Sequence, residues 1–289
     1  MFRHTLLLFF LALIWSASFL AIKIGVETIP PLTLTAGRVL LAAVVVVAFA
    51  FYRRVRLPRE PRVWVYCLLL AIFGNVLPFT LINWGELHVD SGAAAILMAV
   101  MPMATIVLAH FFTVGDRMST GKVAGVIIGF AGVVVLVGPE AVKGLGGDLW
   151  RQLAISGAAM CYSLAVILTR NMPASPLIAR SAGVLIASTL IILPVALVVE
   201  QPWTLVPSTD GMLAMVYLGL FPTALATVLL FHLVQHRGPS FVAYSNYLIP
   251  VFAVLWGVTF LGEKLSAQAG AALVVILCGM VITQIRRRG

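Results

Sequence analysis

Trp15 and Ser18 stand three residues apart and Phe79 and Asn83 four apart, so on helices each pair shares one face and sets aromatic surface beside a hydrogen-bonding group. Tyr162, Tyr244 and Tyr247 add hydroxyls on amphipathic rings, while Met98 and Met101 add pliable apolar contact. The chemistry open to such groups is recognition rather than bond making. Taken singly, each has an equally ordinary reading as helix packing or as part of an interfacial aromatic belt, and for Met98 and Met101 packing comes first. Arg38 is the one charge well inside an apolar run. It can anchor structure by reaching the outer interface, Glu27 or a helix carbonyl, or it can receive a substrate carboxylate, the anchor being the first reading. No carboxylate lies in the middle of a run, which disfavours carboxylate-based proton coupling. His88, His110 and His232 sit near run ends, where polar structural roles are expected.

Catalytic patterns are missing. Gly115 to Lys122 imitates a phosphate-binding loop, but five residues rather than four separate its glycines and Val123 stands where a hydroxyl must meet magnesium. There is no His-Glu-x-x-His, paired-cysteine motif or Gly-x-Ser-x-Gly elbow. No catalytic residue, metal ligand or cofactor is therefore assigned. Cys67, Cys161 and Cys278 all fall within apolar runs and read as packing residues.

The elements that must position these side chains follow from composition. Of 289 residues 62% are hydrophobic and 10% charged, against about half and a quarter in a soluble domain. The apolar residues come in blocks of about 20, the length that crosses some 30 Å of hydrocarbon. The runs are 5–22, 33–52, 64–83, 91–112 and 120–137, then 153–169, 177–199, 212–231, 240–261 and 267–285. The expected fold is an all-α integral membrane protein of ten transmembrane helices. The first run could pass for a signal peptide but lacks a convincing cleavage site, and is read as helix 1.

With both termini cytoplasmic, 14 of the 19 Lys and Arg residues fall on the inner side and only Lys23, Lys143, Arg151 and Lys264 on the outer. Eight of the ten acids lie outside. The positive-inside rule selects this orientation. The net charge of +9 is then a matter of topology and anionic lipid, and no nucleic acid partner is expected.

The two sets of five runs match in register. Pro78 pairs with Pro222, His88 with His232, Pro102 with Pro250, and Gly-Asp-Arg-Met-Ser (115–119) with Gly-Glu-Lys-Leu-Ser (262–266). Trp15-Ser16 and Lys23 likewise match Tyr162-Ser163 and Arg170. An odd number of spans per copy makes the repeat inverted, with halves 1–147 and 148–289 and a substrate site expected between them near mid-membrane. Pro78, Pro102, Pro222 and Pro250 each free a carbonyl deep in a run, as gates or as static kinks. Gly121, Gly125 and Gly129 form a small-residue face, first for packing within the fold.

On the Ala-Leu-Ile-Trp-Ser-Ala-Ser-Phe opening (12–19), the Leu-Ile-Pro-Val-Phe-Ala stretch (248–253) and Leu-Gly-Glu-Lys-Leu-Ser (261–266), the chain resembles the drug/metabolite transporter superfamily, in its branch of EamA-type ten-helix exporters. Among these it is similar to the YddG-type aromatic amino acid exporters. The resemblance implies a central cavity surrounded by helices 1, 3, 4, 6, 8 and 9, with helices 2 and 7 peripheral. The aromatic, hydroxyl and thioether groups above would then line an uncharged, partly aromatic cavity suited to a neutral or zwitterionic solute. The expected function is ATP-independent export of amino acids, aromatic or hydrophobic ones foremost, from a bacterial cell across its inner membrane by alternating access. The protein is expected as a monomer or weak homodimer in the lipid bilayer. Export of drugs, organic cations or another metabolite is the alternative within the superfamily. An enzyme or a receptor fits poorly: no site cluster stands at either face, and the loop 53–62 is too short for a signalling module.

Overall fold

The computed structural model describes residues 2–112, 119–137, 147–237 and 245–284. These residues form ten long helical stretches, a single 3-10 turn at Pro202–Thr204 and no strand. In chain order they are α1 (Phe2–Val26), α2 (Pro31–Tyr52), α3 (Pro61–Glu86), α4 (Ser91–Phe112), α5 (Thr120–Val137), α6 (Gly147–Asn171), α7 (Leu177–Val199), α8 (209–237), α9 (Ser245–Phe260) and α10 (Ala267–Gln284). Seven, α1 to α4 and α6 to α8, are long and apolar enough to cross a membrane; α5, α9 and α10 contribute shorter apolar stretches.

The molecule is apolar outside and carries its polar groups inside. Leu190, Val134 and Val198 expose 71%, 71% and 76% of their surface, while Ser16, Thr35, Asn83, Glu86 and Ser163 expose none. Water would reject that outer shell and hydrocarbon accepts it. Internal polar groups must then find partners in one another or in helix carbonyls, as most of them do.

Helix packing has a two-fold logic. α1 packs on α8 and α9, and α6 packs on α3 and α4. α2 packs on α8 and α7 on α3, while α2 meets α7, α4 meets α9 and α5 meets α10. Exchanging each helix with the one five places along leaves this pattern unchanged. At the α5–α10 contact the backbones nearly touch, since a Cβ on Gly279 would lie 2.6 Å from the Gly129 nitrogen and 2.7 Å from the Gly125 oxygen. The Gly125 and Gly129 face thus serves packing within the fold.

Three spans depart from straight α-helix near the paired prolines. α3 widens to a π turn at Ile72–Val76, just ahead of Pro78, and α8 does so at Gly219–Leu225, around Pro222. α4 breaks between Met98 and Met101, ahead of Pro102. Pro250 lies inside α9. A proline lacks its N–H and crowds the preceding turn, and the extra residue of a π turn absorbs both faults.

Two glutamates in loops satisfy helix starts elsewhere in the chain. Glu200 accepts from the Leu32 and Thr33 amides at 3.0 and 2.6 Å and from Thr33 Oγ1 at 2.8 Å, capping α2. Glu263 accepts from the Ser91 and Gly92 amides at 2.8 and 3.1 Å, capping α4. Gly262 makes the second cap possible. Its φ of +67° ends α9 in a left-handed turn, and Glu263 N returns to Gly257 O at 3.1 Å. A Cβ on Gly257 would occupy the place of the Glu263 carboxylate.

Candidate functional site

Arg38 departs from the sequence expectation. It neither reaches an interface nor meets Glu27. It points inward from α2 with 5% of its surface exposed, and Nε donates to Thr223 Oγ1 at 2.8 Å. Thr223 Oγ1 in turn donates to Leu218 O at 2.8 Å, the carbonyl whose usual helical partner would be the N–H that Pro222 lacks. The guanidinium carbon lies 3.7 Å above the centre of the Phe79 ring, a cation–π contact in a dry setting. Among the described residues, the terminal guanidinium nitrogens have no hydrogen-bond partner.

Phe79 belongs to one of two aromatic pairs in this region. Phe79 meets Tyr162 edge to face, with centroids 6.4 Å apart, and Tyr217 stacks on Phe221 at 5.3 Å. The Tyr217 hydroxyl donates to Ile14 O at 3.1 Å, tying α8 to α1. Tyr162 and Tyr217 both stand among the electrostatic neighbours of Arg38. Residues of α3, α6 and α8 therefore gather about one positive charge carried by α2, and Tyr217 ties α8 to α1 behind it. In the register that pairs Pro78 with Pro222, Thr223 answers to Phe79, so the repeat supplies no second copy of the Arg38–Thr223 contact; α3 and α7 are instead joined where Asn75, in the π turn of α3, donates to Ser188 Oγ at 2.9 Å. The charge breaks the two-fold symmetry.

The residues expected from sequence fall into three groups. Phe79 and Tyr162 are brought together around Arg38, and Met98 packs with Tyr162 and Tyr217 against one core cluster. Met101 lies farther along α4, where its carbonyl accepts from Ser163 Oγ at 2.9 Å. Asn83 is wholly buried and donates to Pro31 O at 3.1 Å and Thr35 Oγ1 at 2.9 Å, joining α3 to α2. Trp15 packs in the α1–α8 seam with Leu11 and Leu229, and Ser18 bonds its own helix at Ile14 O, 3.3 Å away. Tyr244 and the Tyr247 side chain lie outside the described residues.

Ser16 and Ser163, rather than Ser18, bridge helices. Ser16 Oγ accepts from Trp256 Nε1 of α9 at 2.9 Å, as Ser163 Oγ donates to α4. The Trp-Ser and Tyr-Ser match between halves was the signal for both. Thr223 and Tyr217 carried no comparable signal, because a threonine and a tyrosine in an apolar run read as packing.

At the turn between α3 and α4 a second polar group corrects another expectation. Glu86 is the last residue of α3, fully buried, with neither carboxylate oxygen hydrogen-bonded among the described residues, rather than a loop residue facing water. Lys23 Nζ donates to Glu86 O at 2.8 Å and Val89 O at 3.0 Å, fixing the end of α1 to the end of α3. Asp90, in the turn itself, is held above the usual carboxylate range by partial burial and the nearby Glu263 charge, against the pull of Lys23. A cavity of about 220 Å³ opens here beside Asp90, Gln152, Glu263 and Lys264, and none of the expected site residues lines it. An ionised carboxylate without partners in such a place costs several kcal/mol. Glu86→Gln, a neutral group of the same shape, is accordingly expected to unfold at or above the wild-type temperature. A fall of more than about 5 °C in a thermal scan would show that the carboxylate has a partner on which folding depends.

Comparison with known proteins places this arrangement. The sequence pattern of the EamA-like transporter family matches the chain twice, at residues 3–138 and 149–285. The chain is 28% identical to the uncharacterized inner membrane transporter YedA of Escherichia coli K12 over 279 residues, 95% of this chain and 88% of that protein. It is also 28% identical, over 255 residues, to the "Probable terminal-alkyne amino-acid exporter" of Streptantibioticus cattleyicolor, covering 86% of this chain and 82% of that one. A solved crystal structure shares the fold with a TM-score of 0.71 at 23% identity, covering 98% of this chain and 97% of its own.

Proposed function

Because this chain belongs to the EamA-like transporter family, we propose that it is a secondary, ATP-independent exporter of amino acids, with aromatic or hydrophobic side chains the best fit. The observation that carries the substrate class is Arg38. A buried guanidinium with terminal nitrogens unengaged, ringed by Phe79, Tyr162 and Tyr217, suits a solute with a carboxylate at one end and apolar surface at the other. The carboxylate neutralises a charge that is already desolvated, and the rings receive the side chain. An organic cation would meet repulsion at the same point, which sets drug or cation export behind amino acid export. The relative designated an amino-acid exporter and the one designated an inner membrane transporter agree with this reading.

Our reading of the mechanism is alternating access by two inverted halves, 1–147 and 148–289, in a bacterial inner membrane with both termini cytoplasmic. The exchange symmetry of helix packing and the twofold match of the family pattern support the repeat. The π turns of α3 and α8 and the break in α4 lie beside Pro78, Pro222 and Pro102, and with Pro250 they are the points where spans can bend without losing an intact hydrogen-bond ladder. The protein would act as a monomer or weak homodimer.

The test is transport of labelled phenylalanine and threonine by proteoliposomes. Phenylalanine is expected to move, excess tyrosine to compete, and phenethylamine, which lacks the carboxylate, to leave transport unchanged. Competition by phenethylamine equal to that by tyrosine would overturn the role given to the carboxylate. Transport of another metabolite, with neither amino acid moved, would overturn the substrate class and leave the family intact.

A further inference from the structure

At the end of the bundle where the chain begins, three imidazoles converge that the transport reading does not use. His4 stands in the first turn of α1, and His232 and His236 stand one turn apart on α8. Their ring centroids are 5.8 Å (His4 to His232), 5.7 Å (His4 to His236) and 4.2 Å (His232 to His236) apart, and a ring nitrogen from each lies within 4.8 Å of those of the other two. His4 and His232 are half-buried and His236 is exposed.

The geometry points to a transition-metal site, with His4, His232 and His236 as three nitrogen ligands and water in the fourth position. Imidazole is the ligand that Zn²⁺, Ni²⁺ and Cu²⁺ favour, and three histidines with one open place is an established zinc arrangement. Tetrahedral Zn–N bonds of about 2.05 Å put ligand nitrogens about 3.3 Å apart, a distance these side chains reach by small χ rotations. The outer shell is in place. His236 Nδ1 lies 2.8 Å from His232 O, so with its proton on Nδ1 that ring donates to the carbonyl and turns the Nε2 lone pair toward the site.

Duplication does not account for the cluster. His88, the repeat counterpart of His232, has Gly92 four residues on where His232 has His236. Arg151 stands at the position that the spacing of the halves gives for His4. The triad takes one ligand from the first half and two from the second, across the α1–α8 seam, and the repeat supplies no second copy of it. A metal bound there joins the start of α1 to the far end of α8, beyond the π turn at Gly219–Leu225. It acts as a removable clamp, holding together two helices that lie next to the Arg38 site.

The experiment uses the full chain with any purification tag removed, in detergent, titrated with Co²⁺ as a spectroscopic probe and then with Zn²⁺ as competitor. One equivalent of Co²⁺ is expected to give d–d absorption bands that Zn²⁺ abolishes, and Zn²⁺ should raise the unfolding temperature. His4→Gln and His236→Gln should each weaken binding by at least about tenfold, while His88→Gln leaves it unchanged. If His4→Gln does not fold, His236→Gln, at an exposed position, decides alone. Failure of the wild type to bind either ion at micromolar concentration, or unchanged binding in His236→Gln, overturns the site. The readout is binding, so it stands or falls independently of which solute is carried.

Discussion

Arg38→Ala is expected to lower the apparent affinity for a transported amino acid by about 30- to 150-fold while leaving membrane insertion normal. The figure is the loss of about 2–3 kcal/mol that a charge-assisted contact contributes in a desolvated setting. Arg38→Lys should recover little of it. The guanidinium engages Thr223 through Nε and stands over the Phe79 ring at 3.7 Å, while among the described residues its two terminal nitrogens have no partner. An ammonium is a single point donor that can do one of these at a time. Substrates without a carboxylate should be insensitive to the change, so the ratio of phenylalanine to phenethylamine transport separates recognition from general damage. If Arg38→Ala transports phenylalanine at wild-type affinity and rate, Arg38 is a structural cation and the proposed orientation of the solute is wrong.

Glu263→Ala is expected to lower stability by about 3 kcal/mol, a fall of about 5–10 °C in unfolding temperature for a chain of this size. Among the described residues the carboxylate is the sole partner of the Ser91 and Gly92 amides, at 2.8 and 3.1 Å, and both residues are buried. Removing it leaves two donors orphaned at a helix N-terminus and forfeits the interaction of a negative charge with the helix dipole. Glu263→Gln should retain about half the effect, since the amide oxygen still accepts while the charge is gone. Asp90 gives an internal check: relieved of the Glu263 charge, its carboxyl should titrate closer to the ordinary range in Glu263→Gln. An unfolding temperature for Glu263→Ala within about 1 °C of wild type would show that water replaces the cap at no cost.

Glu263 also shows how far the sequence could be read. Gly-Glu-Lys-Leu-Ser was recognisable as a repeated and family-bearing motif, yet its role lies in the pairing of α9's end with α4's start, 171 residues away. Lys23 and Glu200 are alike in this. Each was legible as a charge at a span end, and each has its partner in another span: Lys23 on the carbonyls ending α3, Glu200 on the amides starting α2. Arg38 was legible as an intramembrane charge and its direction was not, because a long side chain one and a half turns into a span can reach either the surface or the interior. Only the π turn of α8, which presents Thr223 toward α2, decides between them.

What the chain's residues determined unaided was everything governed by local composition. Apolar runs of lipid-crossing length, charges other than Arg38 kept to the run ends and turns, prolines and glycines at matched spacing, and membership in a transporter family all follow from residue type and order, because hydrocarbon penalises each buried charge and each open backbone bond wherever it occurs. What required the tertiary structure was every assignment of partners. Arg38 with Phe79 and Thr223, Ser16 with Trp256, and the three histidines of α1 and α8 meet across sequence separations of 41 to 240 residues. Helical periodicity says which side chains share a face but not which face another helix will cover. That choice is made by packing, where the summed fit of whole helices outweighs the preference of any one residue.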